Sequence, residues 1–205
     1  SVGNHTDKKQ IITSNGKKWG YNHLVLLVQN KTGYNNLMKL VSIGYLEGFY
    51  YRPRVDKALL RKYNEGLICT SACLAGEITQ FAVQNDYESA KKAALEYAEI
   101  FPDRFYIEIQ NHQIPEEIAT HSPLKKLSEE LNIPLVATND CHYALKEHWE
   151  AHDVLFCLGT DKNRSDKNRL RYEPEQFYIK SVDEMHVLFK DSPQALENTL
   201  RLAES

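Results

Sequence analysis

Four short apolar runs, separated by longer stretches with helical spacing, restrict this chain more than any other feature of its sequence. The runs are Asn22 to Val28, Leu67 to Thr70, Phe105 to Ile109 and Leu135 to Thr138, each bounded by Gly, Pro, Asn or Asp. Their length and β-branched or aromatic content predict buried strands. After the first run, Thr32 is placed to cap a helix whose Tyr34, Leu37, Met38, Val41 and Tyr45 recur every three or four residues until Gly48. A short helix over Asp56 to Tyr63 precedes the second run. Helices over Glu77 to Gln84 and Glu88 to Phe101 follow it, the latter with Ala90, Ala93, Ala94, Tyr97 and Ala98 as a narrow apolar face. Pro115 opens another helix through Leu124, Leu127 and Leu131, and Pro134 introduces the last run. Strand and helix alternating with short loops predict an α/β fold of right-handed βαβ units around a parallel sheet or barrel.

The flanks differ in character. Residues 1–20 are polar apart from a few apolar positions such as Ile11 and Ile12, and read as a loop or weak hairpin. Past Tyr143 the pattern becomes a helix over Glu147 to Leu158, a charged loop from Gly159 to Tyr172, an extended piece over Phe177 to Lys180, and two final helices. Ser181 and Glu184 have the spacing of a capping box, while Ser192 and Pro193 suit the N-cap and first position of the last helix. The resulting division is 1–20, 21–180 and 181–205. At 205 residues there is material for one large domain or two small ones. The net charge of -3 advertises no basic surface for nucleic acid, although a metal site holds phosphate without one. No apolar run approaches the roughly 20 residues of a membrane span, and no signal peptide opens the sequence. Four cysteines within strand and helix patterns fit reduced thiols in the cytoplasm better than a disulfide framework.

Residues just beyond the carboxyl ends of parallel strands are where α/β proteins place chemistry. Cys73 follows the second run, His112 the third, and Asp140 with His142 the fourth, which sets them on one rim. Asp140 and His142, at alternate positions of an extended segment, point to the same side and can share a cation. Thiol, imidazole and carboxylate together suit zinc, manganese or iron better than magnesium or calcium. His23 precedes its run and belongs, on this reading, to the opposite end. His148 and His152 lie four apart on a helix without the intervening base of a zinc protease, and read as solvated surface. Tyr50, Tyr51, Arg52 and Arg54 form an aromatic and basic turn, suited either to nucleic acid or to packing. His5, His121 and His186 carry no functional reading.

Seven segments, in order, resemble the amino-terminal polymerase and histidinol phosphatase (PHP) domain of bacterial replicative DNA polymerase III alpha subunits. They are His23 to Val28 (HLVLLV), Gly33 to Ser42 (GYNNLMKLVS), Gly48 to Asp56 (GFYYRPRVD), Glu65 to Ile68 (EGLI), Ser71 to Ile78 (SACLAGEI), Phe105 to His112 (FYIEIQNH) and Val136 to Tyr143 (VATNDCHY). The resemblance covers the chain from about Asn22 onward. It implies a distorted (β/α)7 barrel, here incomplete, with the helices of 181–205 leading toward a polymerase palm. It also implies metal ligation by His23, Cys73, Asp140 and His142, with His112 near the site but not a ligand. In the family, up to three divalent ions (zinc, manganese or magnesium) are held by nine side chains. The earlier H-x-H pair, Asp, His and Glu of that set have no counterpart before His23, so the chain resembles a fragment with fewer ions. The implied role is within a DNA-directed DNA polymerase, a cytoplasmic nucleotidyltransferase of DNA replication. There the PHP part is expected to provide metal-dependent 3′–5′ exonuclease proofreading or structural support. Expected partners are DNA, a sliding clamp and a proofreading subunit, with no membrane. The alternative is a stand-alone PHP phosphoesterase acting on a small phosphate monoester. Exposed edge strands are expected to favour self-association.

Overall fold

A computed structural model of the chain describes residues 1–7 and 9–205. Near the amino terminus, β1 (Ile12–Ser14) and β2 (Lys17–Trp19) form an antiparallel hairpin. Its turn, Asn15-Gly16, has positive φ at both residues (43° and 84°), the geometry that matches the twist of a two-residue hairpin. Trp19 meets Phe81 edge-on at 5.6 Å, and Ser14 donates to Asp86 at 2.6 Å, tying the hairpin to the body of the protein.

The main sheet has four strands, β3 (Val25–Val28), β4 (Leu67–Thr70), β5 (Phe105–Gln110) and β6 (Leu135–Thr138), in the order β3-β4-β5-β6. β4, β5 and β6 are parallel as expected, with α3 (Glu77–Val83), α4 (Tyr87–Ile100) and α5 (Pro115–Leu131) in the crossovers. β3 departs from the expectation: it runs antiparallel to β4, with Val25 opposite Thr70 and Val28 opposite Leu67. Two helices, α1 (Lys31–Leu46) and α2 (Lys57–Tyr63), separate these strands. An outward and a return helix bring the chain back to the end of β3 that it left. The first turn of α1 rests on the loop entering β4, where a Cβ on Gly33 would lie 1.8 Å from the Gly66 carbonyl oxygen. Gln29 N–H also donates to Gly66 at 2.9 Å, so β4 starts where β3 stops.

β3 is not the buried strand its composition predicts. Paired on one side only, it leaves Val25, Leu27 and Val28 about 40% exposed. Helix α1 is likewise capped by Asn30, which accepts from Gly33 N–H at 3.0 Å, rather than by Thr32. The face that α1 buries carries Gly33, Asn36, Leu40 and Gly44. Tyr34, Met38, Val41 and Tyr45 face outward, because the close approach of the first turn to the Gly66 loop demands a glycine at position 33 on the inner face. The core lies between the sheet and its outer helices: Leu60, Leu67, Cys69, Ile107, Ile109, Tyr97, Phe101, Leu124 and Leu127 are almost wholly buried.

After β6 come a 3-10 turn (Lys146–His148), α6 (Trp149–Thr160), α7 (Val182–Leu188) and α8 (Pro193–Glu204). Ser181 and Glu184 form the capping box that their spacing predicts. Helix α8 packs along β6, and Asn198 donates to the Leu135 carbonyl at 2.7 Å, covering that edge. Among the described residues the main sheet stays open at four strands, and a complete seven-stranded barrel is not formed. The expected extended piece over Phe177 to Lys180 reduces to a single bridge between Tyr143 and Tyr178.

Candidate active site

The antiparallel pairing of β3 resolves the position of His23. A residue just before β3 lies beside the residues that follow β4, and His23 N–H donates to Ala75 at 2.9 Å. Its Nδ1 is 3.5 Å from Cys73 Sγ. Cys73 itself is presented by a tight loop, with Ala72 at φ 62° and Gly76 so close to Ser71 that a Cβ would come within 2.0 Å of its carbonyl oxygen. Across the rim, Asp140 Oδ2 and His142 Nε2 are 3.4 Å apart. Their segment is held from behind, since the Phe177 carbonyl accepts from His142 N–H at 2.7 Å and from Tyr143 N–H at 3.1 Å. Lys180 Nζ donates to Asn139 Oδ1 at 3.1 Å.

His23, Cys73, Asp140 and His142 all line one cavity of about 800 Å³. They enter it as two pairs, His23 with Cys73 and Asp140 with His142. Among the described residues no three His, Cys, Asp or Glu side chains come close enough to share one ion. The donor types fit a divalent transition metal, while a closed coordination shell requires more donors than either pair supplies. The two pairs feel each other electrostatically. Burial pushes the Cys73 thiol up, reinforced by the Asp140 and Glu108 carboxylates. Burial also lowers the His23 pKa, with the amino-terminal charge adding to this and Asp140 opposing it. A neutral imidazole is the form that ligates metals.

The cavity floor contains groups that the strand-end reading missed. Glu108, 5% exposed, accepts from the hydroxyls of Thr70 and Thr138 and from Gln110 Nε2 at 2.9 Å. One carboxylate thus links β4, β5 and β6. The sequence did hold a signal: Glu108 and Gln110 alternate within an apolar strand and so share its inner face. His112 follows β5 as expected but does not open into the cavity. It is wholly buried, with Nδ1 2.9 Å from Glu117 and its ring stacked on Phe177 at 4.3 Å. Nor is His152 solvated surface: it is half-buried, 5.8 Å from the His142 ring between centroids, whereas His148 is exposed. Arg54 is also buried, donating to the Tyr50 carbonyl at 2.8 Å, which makes the aromatic turn at least partly a packing element. The cysteines are all free.

Fold and site together define an α/β protein with imidazole, thiol and carboxylate groups around one mouth at the end of a partly parallel sheet. The profile of the family described as "PHP domain" matches residues 3–112, and the chain belongs to it. This match takes in His23 and Cys73; Asp140 and His142 lie beyond it. The chain is 52% identical over 182 residues to DNA polymerase III subunit alpha of Borreliella burgdorferi, covering 89% of this chain and 16% of that protein. The Treponema pallidum protein of the same name is 46% identical over 185 residues (90% and 16%), and that of Thermus aquaticus 40% over 191 (92% and 16%). The chain therefore spans about 16% of the length of these relatives. No helix among the described residues is long and apolar enough to cross a membrane.

Proposed function

We propose that this chain is the PHP portion of a bacterial replicative DNA-directed DNA polymerase, and that its strand-end mouth takes part in divalent-cation hydrolysis of a 3′-terminal phosphodiester. One observation carries the second half: His23, Cys73, Asp140 and His142, distant in sequence, line a single cavity. The first half is supported by relatives named DNA polymerase III subunit alpha that are similar over about nine-tenths of the chain. His23 with Cys73, and Asp140 with His142, would each give two donors to a divalent ion (zinc, manganese or magnesium) of their own, with the rest of each shell supplied from outside the pair. When bound, such ions acidify a water and offset phosphate charge. The protein's own contribution is to fix the donors: β4 and its tight loop place Cys73, and the Phe177 carbonyl anchors the backbone of His142. DNA, a sliding clamp and a separate proofreading subunit are the partners this reading assigns, in the cytoplasm.

A second reading, structural support of the polymerase, is favoured by the absence of any three-donor cluster among the described residues. Calorimetric titration with Mn²⁺ or Zn²⁺ separates the two. Catalytic use predicts saturable binding that weakens about tenfold or more in Asp140→Ala. No binding by the unsubstituted protein leaves the structural reading. Release of a mismatched 3′ nucleotide from a primer, compared with hydrolysis of histidinol phosphate, then distinguishes a polymerase-associated nuclease from a stand-alone phosphoesterase.

A further inference from the structure

Tyr172 stands between two cavities. It lines the one holding the four candidate donors, and also a second of about 260 Å³ walled by Tyr143, Trp149, His152, Phe156 and Arg171. Its ring centroid is 4.1 Å from that of His142. Phe156, Phe177 and His152 meet it edge to face at 5.4, 5.2 and 5.3 Å, which holds the ring as a shared wall. The smaller cavity is thus adjacent to the donor mouth, through a half-buried aromatic ring.

Charge decides what this cavity selects. Arg169 bonds both oxygens of Asp153, Arg164 reaches Asp153 and Glu150 at 3.2 and 3.4 Å, and Arg171 reaches Glu173 at 3.3 Å. Glu175 adds a further carboxylate to the lining. The lining carries three guanidinium groups and three carboxylates, so its charges balance and favour no anion. Its half-buried rings, fringed by donors and acceptors, suit a planar, uncharged, hydrogen-bonding group. Its volume lies just below that of cavities for drug-sized ligands, as befits a single ring system.

We propose that the cavity behind Tyr172 is a nucleobase subsite. It takes the terminal base of a DNA strand by stacking, and the attached sugar and phosphate pass Tyr172 and His142 toward the donor mouth. This rests on the phosphodiester reading above. The chain has two tryptophans, and Trp149 lines the cavity, so a Trp19→Phe variant makes Trp149 the sole reporter. In EDTA, thymidine monophosphate and deoxyadenosine monophosphate are expected to quench its fluorescence saturably, whereas 2-deoxyribose 5-phosphate, which lacks a base, is not. Adding Tyr172→Leu should weaken nucleotide binding about tenfold, and Tyr172→Phe should restore it. Circular dichroism establishes that both variants are folded; if the leucine variant is not, the comparison of nucleotide with base-free sugar phosphate decides alone. Equal quenching by the sugar phosphate, no saturable quenching by either nucleotide, or unaltered binding in a folded Tyr172→Leu overturns the proposal. Because no cation is present, loss of this binding and failure of the nuclease assay are separate results.

Discussion

Glu108 illustrates how much rests on single side chains. Its carboxylate receives two hydroxyls and an amide in a buried setting, so Glu108→Ala strands three donors on three strands. Each buried donor left unpaired costs about 1–3 kcal/mol, and urea unfolding should show a loss of roughly 3 kcal/mol, with Glu108→Gln milder. A variant as stable as the parent would mean that water replaces the carboxylate. Glu184 gives a pH-dependent counterpart. The Tyr178 hydroxyl, at 2.6 Å, together with the backbone N–H and hydroxyl of Ser181, holds its pKa at about 2 against an ordinary 4.5. A depressed carboxylate contributes stability that is complete above its unfolded value and disappears as pH falls through the folded one. Melting temperature should therefore decline between pH 4.5 and about 2, and Glu184→Gln should remove part of that decline. Parallel profiles for the two proteins would contradict the assignment.

Among the elements, the junction of α1 with β4 sets the direction of β3. A Cβ on Gly33 would overlap the Gly66 carbonyl at 1.8 Å, and Gly66 has φ +70°. Neither backbone can yield without moving the helix from the sheet. Gly33→Ala is expected to cost roughly 2 kcal/mol or more by chemical denaturation, despite the better helix propensity of alanine. A neutral or stabilising effect would show that α1 is free to shift. This junction also explains which sequence signals worked. Leu67 to Thr70 and Leu135 to Thr138 are strands at the bounds their apolar runs predict, because each is flanked by helices on short connections. The run before α1 had the same composition, but two helices follow it, and periodicity does not report the direction in which a chain returns.

At the scale of the whole molecule, the open sheet leaves β3 with a partner strand on one side only, and Val28 is 41% exposed. Beside it, Tyr34, Met38, Val41 and Tyr45 on α1 present an outward apolar face. An apolar edge strand without charge or proline is a template for pairing. Sedimentation or small-angle scattering should give an apparent mass that rises with concentration, and Val28→Lys should suppress the rise. A constant monomer mass for the unsubstituted chain would refute this. Helix α8 covers the β6 edge and its end reaches the end of β3, where Gln29 Nε2 donates to the Ser205 carbonyl at 2.9 Å, so association is expected through the part of β3 that stays exposed.

Legible along the chain were the α/β alternation, the limits of two of the three parallel strands, the capping box at Ser181 and the residue types at the strand ends. These follow from local periodicity and from side-chain chemistry, which neighbours along the chain suffice to define. Folding in three dimensions supplied the strand direction that brings His23, which resemblance alone had joined to the ligand set, against Cys73, and it settled that Glu108 bridges three strands, that His152 and Tyr172 stand beside His142, and that Tyr34, Met38, Val41 and Tyr45 face outward. Each of those depends on the direction of a strand or the rotation of a helix. Both are set by steric contacts between segments far apart in sequence, as at Gly33 and Gly66.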